Sequence, residues 1–222
     1  MGGPDTAPFV TATWHTTLEI KLKENTKEIE DQNDADVVVN KQGDASYKFC
    51  SGVIVNKRII LTSGHCLKNA EDNGWYIYFN FDGTTGYNGG ARRLVTHHRI
   101  YEPYNTNPTP ENDFGVVYIN TPILFNSTVT KAELSLINAR EFANSVWSDC
   151  QMAGTGEIFT QSICMPRPTK KYMKGFLVSS DCCKAALQHT DGAAFTADSL
   201  CYRSLDAMPC LGDSGAGLSC KK

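Results

Sequence analysis

Residues 53–66 read Val-Ile-Val-Asn-Lys-Arg-Ile-Ile-Leu-Thr-Ser-Gly-His-Cys. Val53–Val55 and Ile59–Leu61 are two brief apolar runs, rich in β-branched residues, with Asn56-Lys57 between them. That pattern predicts a β-hairpin. His65 follows directly, flanked by small residues. An imidazole placed after a strand with room to rotate has a near-neutral pKa that suits a general base. Taken alone, a histidine placed by packing or by a turn is the simpler explanation.

Outward from this stretch the signal stays β. Trp75–Phe81 is aromatic-rich strand material closed by Asp82-Gly83, and Phe114–Ile119 is a buried-type strand ended before Pro122. Glu102–Pro110 is a Pro/Asn-rich loop, and the charged stretch Asn25–Asp36 lacks an apolar face and reads as an exposed loop. Ser145–Trp147 and Gly175–Val178 are further strand candidates. Ser180–His189 predicts a short helix capped by Ser180 or Asp181. Many short strands with frequent turn signals indicate an all-β barrel or sandwich protein. A domain boundary is expected near residues 122–132, where the chain turns polar.

Composition narrows the function classes. The 222 residues carry a net charge of −3, which gives no electrostatic reason to expect nucleic acid or an anionic membrane as a partner. No stretch is long and apolar enough for a transmembrane helix. Nine cysteines are many for a reduced cytosolic enzyme, and none form a C-x-x-C pair. A disulfide framework in a secreted protein is therefore expected, rather than a metal site. Asn126-Ser127-Thr128 is an N-glycosylation sequon. Met1–Asp5 has neither the basic start nor the apolar run of a signal peptide, so the chain is read as a processed or incomplete form of a longer product.

Two more segments carry chemistry. In Asn112-Asp113-Phe114-Gly115 an acid opens an apolar strand; orienting an imidazole is one use for such a carboxylate, capping the preceding loop another. In Cys210-Leu211-Gly212-Asp213-Ser214-Gly215 glycines around a serine let the backbone turn sharply and expose the hydroxyl. His65, Asp113 and Ser214 follow one another at intervals of 48 and 101 residues. The order His, Asp, Ser separates this arrangement from the subtilisin and α/β-hydrolase orders.

With these motifs in register, at 49–66, 112–123 and 210–217, the chain resembles the trypsin/chymotrypsin family. Cys150 followed by Gly154-Thr155-Gly156 is similar to the family segment that opens its second barrel. The resemblance implies two six-stranded antiparallel β-barrels, residues 1–124 with His65 and Asp113 and residues 125–222 with Ser214, the second barrel incomplete. It implies a serine endopeptidase with Ser214 as nucleophile, His65 as base and Asp113 orienting the imidazole. The amides of Gly212 and Ser214 would form the oxyanion hole. No metal or other cofactor is implied. The expected partners are a polypeptide substrate and protein inhibitors, and the expected state is a secreted monomer. A non-catalytic homologue serving as a binding or regulatory module is the alternative.

The resemblance also assigns cysteines. Cys50 should pair with Cys66, Cys150 with Cys220, and Cys201 with Cys182 or Cys183. Cys210 and Cys164 are left without an obvious mate. Met208, six residues before Ser214, falls at the base of the specificity pocket, where it argues against an Arg or Lys preference. Asp213 is the residue that pairs with the mature N-terminus in the family; that partner is not seen here, since Met1-Gly2-Gly3 starts one residue into the expected motif. His15, His97, His98 and His189 match no motif and read as surface or packing residues. Lys170-Lys171 reads as an exposed loop.

Overall fold

The computed structural model describes residues 15–23, 37–38, 47–79, 90–104, 111–135, 141–142, 148–156, 158–160, 163–165, 171–187, 196, 199–204 and 208–221. The N-terminal half is built from β1 (His15–Lys21), β2 (Val37–Val38), β3 (Tyr47–Asn56), β4 (Ile59–Thr62), β5 (Tyr76–Phe79), β6 (Ala91–Ile100) and β7 (Gly115–Ile119). The sheet order is β1-β5-β6-β7-β4-β3-β2, and β1 also pairs with β3. That extra pairing closes β1, β5, β6, β7, β4 and β3 into a six-stranded antiparallel barrel, with β2 appended to β3. Closure removes free edges and lets one face of every strand point inward.

The barrel forms because the inward positions are apolar at period two. On β7, Gly115, Val117 and Ile119 are buried while Val116 and Tyr118 are only partly so. Leu18, Ile20, Ile54, Ile60, Ile77, Val95 and Val117 meet in one core, joined by Trp75 and by the half-cystines Cys50 and Cys66. The hairpin expected at 53–61 is β3–β4, with Val53 opposite Leu61 and Ile54 opposite Ile60; a register shift between Ile54 and Asn56 absorbs one residue. The strand expected at 75–81 is described as Tyr76–Phe79; Asp82-Gly83, Asn25–Asp36 and Ser145–Trp147 lie outside the described residues.

The C-terminal half contains β8 (Ser148–Gly154), β9 (Ile158–Thr160), β10 (Ile163–Met165), β11 (Lys171–Val178), β12 (Cys201–Ser204) and β13 (Leu218–Lys221). Four strands form a sheet in the order β12-β11-β8-β13, and β9–β10 is a separate hairpin. Among the described residues this second sheet does not close, unlike the first. Among the described residues, short helices include α1 (Gly64–Leu67) and α2 (Ser180–Leu187). The cap of α2 differs from expectation. Ser179, one residue earlier than foreseen, accepts a hydrogen bond from the Cys182 amide (3.4 Å) on its hydroxyl, and its carbonyl accepts from Cys183 (2.9 Å). Ser180 is already helical, so it cannot serve as the cap.

The halves meet through polar groups. Thr17 on β1 and Thr155 after β8 share a 2.6 Å hydroxyl contact, and Ser51 on β3 reaches the loop before β13. Both threonines are buried, so each hydroxyl satisfies the other across the seam.

Candidate active site

Strand pairing decides where His65 and Asp113 go. β4 and β7 run antiparallel with Thr62 opposite Gly115. His65 lies three residues beyond the end of β4 and Asp113 two residues before β7. Both therefore emerge at the same end of the same strand pair. Two glycines let them close up. A Cβ on Gly115 would sit 2.5 Å from Leu67 of α1, and one on Gly64 would sit 3.0 Å from the Phe114 carbonyl oxygen and 3.2 Å from Asp113 Oδ1. Helix α1 can rest on β7 only because neither position carries a side chain.

Within this corner the Asp113 carboxylate is held twice by one residue. Its Oδ2 is 2.5 Å from His65 Nδ1, and its Oδ1 accepts the His65 backbone amide at 2.7 Å. The side chains are 32% and 26% exposed for His65 and Asp113, enough shielding to strengthen the pair while the imidazole still meets solvent. Burial pushes the Asp113 carboxyl up. The hydrogen bonds from the His65 ring and amide, the His65 charge and the Gly64 amide together outweigh it, so the carboxyl lies below its ordinary value. A carboxylate on Nδ1 keeps the proton there and leaves Nε2 as the basic atom.

Ser214 comes to the same corner from the other half of the molecule. Its carbonyl oxygen accepts the Ser51 amide at 2.8 Å and lies 3.8 Å from Cys66 Sγ, which in turn is 3.7 Å from His65 Nε2. Among the described residues the Ser214 hydroxyl makes no hydrogen bond to His65. In an unliganded site such bonds are often long. The loop that carries Ser214 is a sequence of tight turns. Gly212 and Gly215 have φ of +90° and +84°, the left-handed region where a side chain is strained. A Cβ at Gly215 would also lie 2.3 Å from the Ser51 carbonyl oxygen and from Thr62 Oγ1. Asp213 closes the loop on itself and on β8. Its carboxylate accepts the Cys210 amide at 3.1 Å and the Gly156 amide at 2.8 Å, and it is 9% exposed. A Cβ at Gly154 would lie 1.9 Å from Asp213 Oδ1. The Gly154-Thr155-Gly156 segment thus has a physical reason: it is the floor on which Asp213 rests.

Disulfides pin this arrangement from both sides. Cys50 pairs with Cys66, Cys150 with Cys220, and Cys201 with Cys183 rather than Cys182. Cys182 is exposed and unbonded, because Cys183 is the residue of the two that α2 turns inward. Cys210 corrects the expectation that it lacks a mate, being itself disulfide-bonded. Cys164 lies on β10, with its side chain outside what is described. Met208 is 63% exposed. It lines neither of two large cavities beside Asp113 and Phe114, of about 1210 and 770 Å³. Among the described residues, no three His, Cys, Asp or Glu side chains gather as metal ligands would.

A family model described as Trypsin matches residues 25–222. The chain belongs to the trypsin family. Among this family's curated members it is 28% identical over 186 residues to alkaline trypsin B of Manduca sexta, covering 82% of this chain and 69% of that one. It is 26% identical over 172 residues to hypodermin-A of Hypoderma lineatum, covering 77% and 62%. The solved structure of neuropsin, a serine protease expressed in the limbic system of mouse brain, superposes with a TM-score of 0.65 at 18% identity. It covers 95% of this chain and 78% of that one, and supports the chymotrypsin-type fold.

Of the two readings open for His15, surface or packing residue, the structure selects packing. The residue is 1% exposed and within hydrogen-bond distance of Ser51, on the seam between the halves. Sequence reasoning placed it among surface or packing residues. The only local signal was its position ahead of the alternating run Thr16–Lys21, which reads as a strand once the barrel is known.

Proposed function

We propose that this trypsin-family chain is a serine endopeptidase acting through a Ser-His-Asp triad and an acyl-enzyme. The single observation that carries the proposal is the doubly bonded His65–Asp113 pair standing at the loop of Ser214. Ser214 attacks the scissile carbonyl carbon. Its proton passes to His65 Nε2, which returns it to the leaving amine; water then repeats the cycle on the ester. Asp113 holds the imidazole in the Nδ1–H tautomer and stabilises its cationic form. The amides of Gly212 and Ser214, flanking Asp213, bind the developing oxyanion, a contribution commonly worth about 10²–10³ in rate. Met208 stands where the family resemblance puts the base of the specificity pocket, with no carboxylate at that position to favour Arg or Lys. The partners that follow are polypeptide substrates and protein inhibitors of the same surface, engaged by a secreted monomer. Secretion is supported by the disulfides. The sequon supports glycosylation: Asn126 is exposed, with Oδ1 accepting from the Thr128 hydroxyl and amide at 2.8 Å each.

The alternative reading is a non-catalytic homologue used as a binding module. A single experiment separates the two. The chain is refolded with its disulfides and treated with a fluorophosphonate, beside Ser214→Ala. Covalent labelling that disappears in Ser214→Ala supports the peptidase. Absence of labelling in a folded chain, together with no hydrolysis of peptide substrates, overturns it.

A further inference from the structure

Ser51 occupies the seam between the two halves and is fully buried. It touches the Ser214 loop at two points. Its hydroxyl donates to the Gly212 carbonyl at 3.0 Å, and its backbone amide donates to the Ser214 carbonyl at 2.8 Å. These two acceptors bracket Asp213 and Ser214. One residue of β3 therefore anchors the Gly212–Asp213 and Ser214–Gly215 peptides, which lie on either side of the Asp213–Ser214 peptide. Thr62 braces Ser51 in turn, its hydroxyl donating to the Ser51 carbonyl at 2.8 Å.

His15 stands behind the clamp. Thr17 pairs with Ser51 and His15 with Val53, so His15 and Ser51 are diagonal neighbours on one face of the β1–β3 ladder. His15 Nε2 is 3.3 Å from Ser51 Oγ, and His15 is itself buried. Proton accounting then gives the chain a direction. The Gly212 carbonyl can only accept, and a serine hydroxyl has one proton. That proton is committed to Gly212, so Ser51 Oγ must accept from His15 Nε2–H. The chain runs His15 Nε2–H to Ser51 Oγ–H to Gly212 O, and each donor polarises the next.

We propose that Ser51, oriented by His15, is a positioning residue that sets the Gly212 peptide and with it the oxyanion-binding amides. The inference rests on the serine-peptidase reading of the same loop. Gly212 has φ of +90° and, having no side chain, is free to rotate. Without the Ser51 hydroxyl its carbonyl loses this buried donor, and the restraint that the donor places on the Gly212–Asp213 peptide is lost. That peptide joins the Gly212 amide to the Asp213–Ser214 peptide, so turning it changes the direction of the two oxyanion-binding amides relative to each other.

The test reads the clamp directly and then its consequence. The refolded chain is labelled with 13C at glycine carbonyls and 15N at aspartate. Gly–Asp occurs as Gly43-Asp44 and Gly212-Asp213, and Asp44→Asn identifies the first. In Ser51→Ala the Gly212 carbonyl resonance moves upfield; an unmoved resonance overturns the proposal whether or not the parent chain is labelled by fluorophosphonate. Where the parent is labelled, Ser51→Ala slows labelling by about 10- to 100-fold. For a peptide ester, kcat then falls with KM unchanged. A core substitution that only destabilises, Val117→Ala, leaves the labelling rate in place. Labelling of Ser51→Ala at the parent rate overturns the positioning role. If Ser51→Ala does not fold, His15→Phe and His15→Gln decide instead. Loss of the donor in the first slows labelling and moves the resonance, its retention in the second restores both, and equal behaviour of the two refutes the chain. A parent that is never labelled while its Gly212 resonance responds to Ser51→Ala keeps the clamp and removes the peptidase reading, so the two failures are distinct.

Discussion

Replacing Gly154 by alanine puts the Asp213 docking site to a quantitative test. The new methyl carbon would lie 1.9 Å from Asp213 Oδ1 and 2.7 Å from its Cγ. Contacts of this kind below 3.0 Å essentially do not occur, so the carboxylate must withdraw by at least about 1.1 Å. The Gly156 amide bond, 2.8 Å long, is then stretched beyond hydrogen-bonding range. A hydrogen bond to a charged group is worth about 1.5–3 kcal/mol. For a chain of this size that corresponds to a fall in Tm of about 3–12 °C. The Asp213 carboxylate also holds the Cys210 amide, so its withdrawal disturbs the loop that presents Ser214. The expected outcome is a lower melting temperature by circular dichroism and fluorophosphonate labelling slowed at least about tenfold. Gly74→Ala is the control. It has φ of +85° and nothing within 4 Å of an added Cβ. It should cost only about 1–2 kcal/mol of left-handed strain, with labelling unchanged. If Gly154→Ala were labelled at the parent rate and melted no lower than Gly74→Ala, the account of Asp213 resting on the Gly154–Gly156 segment would be wrong.

Three further outcomes follow from the same corner. Asp113→Asn keeps an acceptor for the His65 amide but turns an N–H toward Nδ1, which moves the imidazole proton to Nε2; the family's known mechanism sets the expected loss of labelling rate at about 10⁴-fold. Because the folded Asp113 carboxyl lies below its ordinary 3.8, the stability it contributes is present above that value and is lost as pH falls through the lower, folded one. The stability difference between parent and Asp113→Asn, read from guanidinium unfolding, should therefore shrink as pH falls below the ordinary carboxyl value of 3.8; a constant difference would contradict the assigned shift. Removing the Cys50–Cys66 bridge as a double alanine variant opens a loop with a separation of 16 residues. The expected cost is about 3 kcal/mol, seen in calorimetry as a fall in Tm of about 6–12 °C.

The local signals were legible because they are written in neighbouring residues. The β3–β4 hairpin needs only two β-branched runs and a short turn, and the helix at Ser180–Leu187 only a polar start and helix-forming residues. His65 and Ser214 stood out by their small neighbours, Asp113 as an acid opening an apolar strand, and all three by their order along the chain. The same locality explains the error over the cap of α2: the hydroxyls of Ser179 and Ser180 are equivalent in sequence, and only the backbone direction at the helix start selects between them.

What the sequence determined by itself, then, was the β character, the hairpin at 53–61 and the motifs, because each depends on residues within one turn or one strand. Tertiary structure alone decided the closing of the first barrel through β1 and β3, the choice of Cys183 over Cys182, and the burial of His15. It also decided the meeting of Ser51 with Gly212 across 161 residues and of Asp213 with Gly156 across 57. Those contacts join segments whose sequences carry no mutual signal. A buried hydroxyl or carboxylate must find a partner, but which one it finds depends on how the two halves pack.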